Sequence, residues 1–183
     1  MEQREKIPSI RMIRPTLEDI PVFDLPDPYQ LRRYRPGDAA NWVRIHQEAD
    51  VYNEIRSDLF PGQFGSDEEE LAARQFYLCD GEGQAVGTAT AWYNNDFRGE
   101  RYGQVHWVAI VPEHQGKGLA KPLMTAVLRR LRELGHDRVY LSTNPPRLPA
   151  IHLYMKFGFV PMAQTEQERS IWEEVHRKLA AGR

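Results

Sequence analysis

The stretch of sequence that decides the fold, residues 108–120, reads VAIVPEHQGKGLA. It begins with an apolar run typical of a strand, passes through a short loop that contains Gly116 and Gly118, and continues into a helical pattern. Pro122 is tolerated only near the first turn of a helix, so the helix is expected to begin at about Gly118. Helix N-termini present free N–H groups, and glycine lets a pyrophosphate approach the backbone closely. The stretch therefore predicts a strand, a phosphate-binding loop and a helix.

The same loop has other interpretations. Its glycines can also serve the packing of an ordinary strand-to-helix turn. A P-loop is disfavoured because it needs Ser or Thr after Gly-Lys to bind magnesium, and Gly118 follows Lys117 here. A dinucleotide-binding loop is disfavoured as well, since its glycine spacing differs and the preceding strands are predicted to form hairpins. From spacing alone, the phosphate-binding loop and the packing turn remain open.

The composition limits the kinds of protein that this chain can be. A chain of 183 residues with 41% hydrophobic content fits one domain with one core. Its formal charge of −2 provides no broad field for nucleic acid or an anionic membrane, so neither partner is expected. The single Cys79 excludes an internal disulfide framework, and the histidines lack metal-ligand spacing, so no metal is expected. The charged N-terminus and the absence of a long apolar run favour a cytoplasmic protein.

The elements around the loop follow from hydrophobic periodicity and from turn and cap residues. Strands are predicted at residues 29–34, 76–78, 85–93, 102–111, 138–142 and 159–160, with a turn at residues 94–96. Helices are predicted after Asp38 as N-cap, after a Ser66 and Glu69 capping box, from about Gly118 to Gly135, and at residues 149–157. Residues 51–65 are expected to be irregular.

Both ends of the chain have patterns of their own. Residues 1–28 carry five prolines and predict an arm packed on a domain that spans residues 29–183. Thr165 and Glu168 form a second capping box, which predicts a terminal helix at about residues 166–180.

Two motifs in this order are similar to those of a known family. QGKGLA at residues 115–120 resembles the Gln/Arg-x-x-Gly-x-Gly/Ala signature of the GNAT superfamily of N-acetyltransferases, and AIHLYMKFGF at residues 150–159 resembles its Ala-x-x-x-Tyr-x-x-x-Gly-Phe motif. The resemblance covers roughly residues 31–160. It implies an α/β (α+β) GNAT fold: a mixed, mostly antiparallel twisted sheet flanked by helices, here with an N-terminal arm and an extra C-terminal helix.

The resemblance also implies an activity. The expected enzyme is an acyltransferase that moves the acetyl group of acetyl-CoA to a primary amine, by direct attack in a ternary complex. The acceptor would be a small-molecule or peptide amine, and the enzyme a monomer or homodimer. The alternative is a non-catalytic acyl-CoA-binding or interaction module on the same fold.

Roles for individual positions follow from the resemblance. The backbone of Val108, Ala109 and Ile110 would run beside the pantetheine arm, and Asn144 and Arg147 would touch the cofactor. Family members often have Asn at the position of Arg147. The amides of the loop would hold the pyrophosphate; they belong to Gln115, Gly116, Lys117, Gly118, Leu119 and Ala120.

The chemistry needs a base and an acid. An alkylammonium has a pKa of about 10.4 and must lose a proton before it attacks a thioester. His106 is the candidate base, because it lies on the strand that leads into the loop, although an ordinary sheet histidine is the alternative. Tyr154 is the candidate acid that protonates the departing thiolate, with a core tyrosine as the alternative. Candidates for acceptor binding are Tyr52, Glu54 and Gln104.

One feature departs from the family pattern. Little room remains between Phe159 and the Thr165 cap for the family's closing β-hairpin. The IRMI segment at residues 10–13 is therefore predicted to supply a substitute edge strand, and the terminal helix is predicted to cover the sheet with Ile171, Trp172 and Val175.

Overall fold

The computed structural model describes residues 8–182, so the part of the predicted arm at residues 1–7 lies outside the described residues. The strands are β1 (Ile10–Arg14), β2 (Gln30–Arg33), β3 (Gln75–Cys79), β4 (Ala85–Phe97), β5 (Glu100–Ile110), β6 (Val139–Thr143) and β7 (Val160–Met162). The helices are α1 (Asp38–Ala49), α2 (Leu59–Phe64), α3 (Glu68–Arg74), α4 (Ala120–Glu133), α5 (Leu148–Lys156) and α6 (Glu166–Ala181).

All seven strands form one sheet in the order β2-β3-β4-β5-β6-β1-β7. Every neighbouring pair is antiparallel except β5 and β6, which are parallel. The helices flank this sheet, and α4 buries its apolar stripe against it, with Leu123, Met124 and Val127 fully inaccessible. The predicted mixed, mostly antiparallel α/β architecture is confirmed.

The N-terminal strand β1 lies inside the sheet. It pairs antiparallel with β6 on one side, where Met12 faces Leu141, and with β7 on the other, where Met12 faces Pro161. The prediction that residues 10–13 enter the sheet is confirmed, but the prediction that they form its edge is wrong. The edge is β7, whose three residues pair with β1 and are too few to close the sheet without it.

A buried arginine fastens β1 to the end of α5. Arg14 donates from Nε to the carbonyl of Thr16 at 2.8 Å, from Nη2 to that of Glu18 at 2.6 Å, and from Nη1 to that of Phe157. The next residue, Gly158, has φ 78°, and a Cβ there would lie 2.7 Å from Arg14 Nη1. Glycine is therefore required at this position both by the backbone conformation and by the space that Arg14 occupies.

Two predicted helix caps are corrected. The N-cap of α1 is Gly37, and Asp38 is its first helical residue. The buried Asp38 carboxylate binds the Arg32 guanidinium at 2.5 and 2.8 Å. Asp38 therefore forms an ion pair and does not cap the helix. The N-cap of α3 is Asp67, which accepts hydrogen bonds from the amides of Glu69 and Glu70, whereas a cap at Ser66 was predicted.

Three segment boundaries also differ from the prediction. Residues 94–96 continue β4, and the chain turns at Arg98 and Gly99, whose φ values of 59° and 79° suit a tight hairpin turn. Residues 51–65, predicted to be irregular, contain the short helix α2. Helix α4 begins at Ala120, two residues after the predicted start.

The terminal helix has the predicted cap. Thr165 accepts from the Glu168 amide while the Glu168 carboxylate accepts from the Thr165 amide, which is a complete capping box. Trp172 and Val175 are buried, and Ile171 is half-buried, so this helix packs its apolar face on the domain as predicted.

We predict that Gly158→Ala destabilises the fold more than Gly135→Ala. Both glycines have a left-handed backbone, with φ of 78° and 83°, which costs a residue with a Cβ about 1 kcal/mol. Nothing lies within 4 Å of a Cβ at position 135, whereas at 158 the Cβ meets Arg14. Urea unfolding is expected to give losses of about 1 kcal/mol at 135 and about 3 kcal/mol at 158. Equal losses would contradict the close packing of Arg14 on Gly158.

Candidate functional site

The site begins where β5 and β6 separate. These parallel strands pair only at Gly103 with Val139 and at Gln104 with Tyr140. A Cβ at Gly103 would lie 3.1 Å from the Val139 side chain, so glycine permits the close approach at this point. Beyond it the two strands diverge, and a gap opens beside the second half of β5.

A β-bulge turns β5 away at this gap. Trp107 and Val108 of β5 lie opposite the single residue Ala89 of β4, and Trp107 has φ 50°. Bulges bend a strand and increase its twist, and they redirect side chains next to sites. The bulge therefore aims residues 106–110 into the gap.

Two cavities fill the gap and meet along it. The acceptor-side cavity, about 890 Å³, lies between β5, β6 and the C-terminal end of α1, and its wall includes His46, Asp50, Tyr52, Asn53, His106, Ser142, Asn144 and Arg147. The loop cavity, about 460 Å³, lies between the loop after β5 and α5, and its wall includes Gly116, Gly118, Leu119, Ala120 and Leu153. Both are lined by Val108, Ala109, Ile110, Gln115, Ala150 and Tyr154.

The loop between β5 and α4 presents unused amides. Gly116 and Gly118 have φ of 74° and 78°, and nothing lies within 4 Å of where a Cβ would stand on either. Within residues 8–182, the N–H groups of residues 116–119 donate no hydrogen bond. Gln115 holds the loop in place by donating from its side chain to the Ile110 carbonyl at 2.7 Å. Free amides on an open backbone before a helix fit an anionic ligand.

Lys117 lies at the outer side of this loop. Its ammonium is exposed and is 3.3 Å from the Tyr29 hydroxyl, which in turn is 2.9 Å from Nδ1 of His114. It does not line either cavity, unlike the other five predicted loop residues.

Tyr154 stands where the two cavities meet. It projects from α5, its ring packs edge-on against Phe159 at 6.1 Å, and its hydroxyl makes no hydrogen bond to any residue that the structure describes. Burial raises its pKa to about 12, and Arg147 opposes the shift. The phenol is therefore protonated at neutral pH and has a proton to donate.

Both ring nitrogens of His106 are already paired. Nδ1 is 3.0 Å from the Gln104 amide nitrogen, and Nε2 is 3.0 Å from Gln63 Oε1, which also accepts from the Trp107 indole at 3.0 Å. With the Gln104 amide donating to Nδ1, the ring carries its proton on Nε2. Burial lowers its pKa to about 4, so His106 is neutral at pH 7.

Three residues of the acceptor-side cavity form a group: His46 in the last turn of α1, Asp50 at the C-cap of α1, and Arg147 at the N-cap of α5. An Asp50 oxygen accepts from Arg147 Nη2 at 2.7 Å, and the guanidinium lies 4.7 Å from the centre of the Tyr52 ring. Burial alone would raise the pKa of Asp50, but the bonds from Arg147 and Asn53 outweigh it and hold that pKa below its usual range.

Sequence reasoning missed His46 and Asp50 and assigned Arg147 to the cofactor. The available signal was the four-residue spacing of Trp42, His46 and Asp50, which places the first two on one face of α1 and Asp50 at its C-cap, next to that face. His46 is 2% exposed, its ring packs 4.3 Å from Trp42 and 5.0 Å from Trp107, and burial lowers its pKa to about 4.

The remaining predicted site residues are only partly brought together. Asn144 lines the acceptor-side cavity and donates to the Pro8 carbonyl at 3.4 Å, and Tyr52 lines it as well. Glu54 is exposed outside the lining, and Gln104 acts behind the wall through His106. In residues 8–182, three or more metal-ligating side chains do not cluster anywhere, and each described helix is too short or too polar to cross a membrane.

Comparison with known sequences now identifies the family. The sequence model of the Acetyltransferase (GNAT) family matches residues 40–159, which include the splayed strands, the loop and Tyr154. The chain belongs to the GNAT family. The resemblance drawn from the two motifs is thereby confirmed.

Individual relatives are acetyltransferases by name. A mycothiol acetyltransferase of Thermobispora bispora is 30% identical over 161 residues, which cover 81% of this chain and 52% of that protein. One of Saccharomonospora viridis is 34% identical over 150 residues, which cover 78% of this chain and 49% of that protein. This GNAT chain thus spans about half the length of the curated relatives it matches.

Solved structures support the fold. A GCN5-related N-acetyltransferase from Sphaerobacter thermophilus has a TM-score of 0.70 at 20% identity, over 86% of this chain and 50% of that chain. The ribosomal-protein-S18-alanine N-acetyltransferase from Escherichia coli has a TM-score of 0.60 at 18% identity, over 74% of this chain and 79% of that chain.

We predict that the fold loses stability between pH 6.5 and pH 4. Unfolded histidines bind a proton near pH 6.5, whereas folded His46 does so only near 4, so the unfolded state gains protons first as the pH falls. The contribution of His46 is fully present above pH 6.5 and amounts to about 3 kcal/mol over this window. Asp50 opposes the shift, and Arg147 and His106 reinforce it.

Urea unfolding at a series of pH values measures this slope. His46→Gln is expected to make the slope shallower and to leave the part that comes from buried His106, while His176→Gln, on the exposed side of α6, keeps the full slope. The stability that Asp38 and Asp50 contribute is lost only below their ordinary pKa of 3.8, outside this pH window. An unchanged slope in His46→Gln would contradict a buried, neutral His46.

Proposed function

We propose that this chain is an N-acetyltransferase that transfers the acetyl group of acetyl-CoA to a primary amine. The observation that carries the proposal is the junction of the two cavities at Tyr154: one cavity has a loop of free amides, the other has a polar wall, and Tyr154 lines both. A ternary complex needs this geometry, because both substrates must reach one reacting centre from opposite sides.

The loop cavity fits the phosphates of acetyl-CoA. The unpaired amides of residues 116–119 and the positive end of the α4 dipole provide donors and charge for a pyrophosphate. The open space above Gly116 and Gly118 lets it approach the backbone. Residues 108–110 of β5 have no paired residue on β6, so their backbone can meet the amides of the pantetheine arm, except at the Ile110 carbonyl, which already accepts from Gln115. When bound, acetyl-CoA supplies an activated thioester; this chain's residues position it.

Tyr154 is proposed as the proton donor to the departing sulfur. Its raised pKa keeps the hydroxyl protonated at neutral pH, and its lack of a hydrogen-bond partner among the described residues leaves it free to turn toward the thioester. A donor at this point lowers the barrier because a thiolate leaves more easily when it is protonated as it departs.

The contacts of His106 suit a role in shaping the cavity wall better than a role as the base that removes a proton. Its Nδ1 lone pair is occupied by Gln104, so it accepts a proton only if that amide turns away. Gln63 fixes both His106 and Trp107 and so holds the bulge that shapes the cavity. We propose that the acceptor amine loses its proton through water in the acceptor-side cavity, with His106 as part of the rigid wall.

The names of the relatives and the family match support acetyl transfer rather than another use of the fold. An assay of free CoA thiol with a library of primary amines tests the proposal, with slow thioester hydrolysis as the background. Acetyl-CoA binding without turnover on any amine would instead favour a non-catalytic acyl-CoA-binding module.

We predict that Gly118→Asp weakens acetyl-CoA binding about 10- to 100-fold, because it adds a side chain and a negative charge where phosphate must approach. Gly99→Asp is a matched control: Gly99 has φ 79°, nothing within 4 Å of its Cβ position, and lies in the distant β4–β5 turn. Calorimetric titration is expected to show normal affinity for Gly99→Asp. Equal affinities for both variants would rule out this placement of the loop.

We predict that Tyr154→Phe lowers kcat by about 10²- to 10⁴-fold while acetyl-CoA affinity is largely kept. Phenylalanine preserves the packing against Phe159 and removes only the proton donor. Tyr102→Phe, in a separate buried cluster with Phe97 and Tyr140, is the control and is expected to turn over normally. A loss of only a few-fold at Tyr154 would leave it as a packing residue.

A further inference from the structure

The acceptor-side cavity contains one pair of opposite charges. Among the described residues that line it, only Asp50 and Arg147 carry a formal charge at pH 7, since burial keeps His46 and His106 neutral. The two side chains join the opposite walls of the cavity, α1 and the start of α5, through a bond of 2.7 Å.

The hydrogen-bonding capacity of Asp50 is largely used within the chain. Its Oδ1 accepts from Arg147 at 2.7 Å and from the amides of Tyr52 and Asn53 at 2.8 and 3.1 Å, and its Oδ2 accepts from the Asn53 side chain at 2.8 Å. The carboxylate is also only 4% exposed. Asp50 is therefore a fixed support for Arg147 rather than a free base.

Arg147, in contrast, has spare capacity. Asp50 takes one of its five N–H donors, and the others find no acceptor in residues 8–182. The Tyr52 ring lies 4.7 Å from the guanidinium carbon, which supports the flat group from another side. The side chain is 25% exposed and lines the acceptor-side cavity but not the loop cavity. Its position is fixed while most of its donors remain unused.

We infer that Arg147 binds an anionic group of the acceptor, so that the acceptor is a small amine that carries a carboxylate. This inference rests on the proposed function and names its substrate class. The proposal commits to a carboxylate, whose two oxygens fit the planar fork of a guanidinium, and the phosphonate below tests the other anion that this fork accepts. Tyr154 follows Arg147, the N-cap of α5, by seven residues, about 10 Å along the helix axis, so one small molecule can reach both.

The test uses pairs of acceptors that differ only in charge. Linear ω-amino acids from glycine to 6-aminohexanoate are compared with their carboxamides, and kcat/KM is measured from free CoA thiol. For the chain length that reacts best, the wild-type protein is expected to prefer the carboxylate about 10- to 100-fold. The corresponding aminoalkylphosphonate is expected to react less well than the carboxylate.

Arg147→Gln is expected to bring this preference close to one. Arg147→Lys keeps a cation beside Asp50 but loses the fork, so it tests the role without leaving a buried carboxylate unpaired; its preference is expected to fall several-fold. Arg56→Gln is the matched control, because Arg56 is an exposed arginine of the same wall segment, paired with Asp58 and outside the cavity lining. It is expected to keep the full preference.

Each outcome decides the inference. A wild-type preference near one, a preference that survives in Arg147→Gln, or a better reaction with the phosphonate would overturn it. Transfer to neutral amines of the library with none to any amino acid would also overturn it while the proposed function stands. Transfer to no amine at all would count against the proposed function itself.

Discussion

The short parallel contact between β5 and β6 is the constraint on which the rest of the site depends. Two residue pairs hold these strands together at Gly103 and Gln104, and the bulge at Trp107 then turns β5 away. A longer ladder would fill the gap with backbone hydrogen bonds and leave no room for a substrate. The edge of β5 that faces β6 is unpaired beyond Gln104. The backbone of β5 is paired instead on its other side, in the long β4–β5 hairpin.

The separation of β5 and β6 also explains why β1 lies inside the sheet. Once β6 separates from β5, its other edge must be paired, and the chain after Phe159 supplies only the three residues of β7. The N-terminal strand fills the position between them, with Ile10, Met12 and Arg14 turned into the interior. Arg14 then links this strand to the end of α5, the helix that carries Tyr154. The site is thus held from a part of the chain far from it in sequence.

Local signals in the sequence were sufficient for most helices and strands and for the Thr165 cap, because each depends on neighbouring residues, while the fold class followed from the two family motifs. These signals were insufficient where a residue distant in sequence determines the structure. Asp38 looked like a helix cap and instead pairs with Arg32; residues 10–13 looked like an edge strand and instead lie between two strands. Likewise, Tyr154 was predicted from its motif, whereas the pairing of Asp50 with Arg147 depends on the packing of α1 and α5 on opposite sides of one cavity.

The electrostatics of the cavity follow from the same arrangement. A nucleophilic amine must be neutral when it attacks, and a cavity with a free carboxylate would favour its charged form. Among the described residues that line this cavity, the one carboxylate, Asp50, is largely occupied by Arg147, Asn53 and two backbone amides, and both histidines are neutral. The field that remains comes from the unused side of the Arg147 guanidinium. In the proposed reaction, this electrostatic field would favour an anion at one end of the acceptor and disfavour an ammonium near it, so Arg147 would both orient the acceptor and promote loss of its proton.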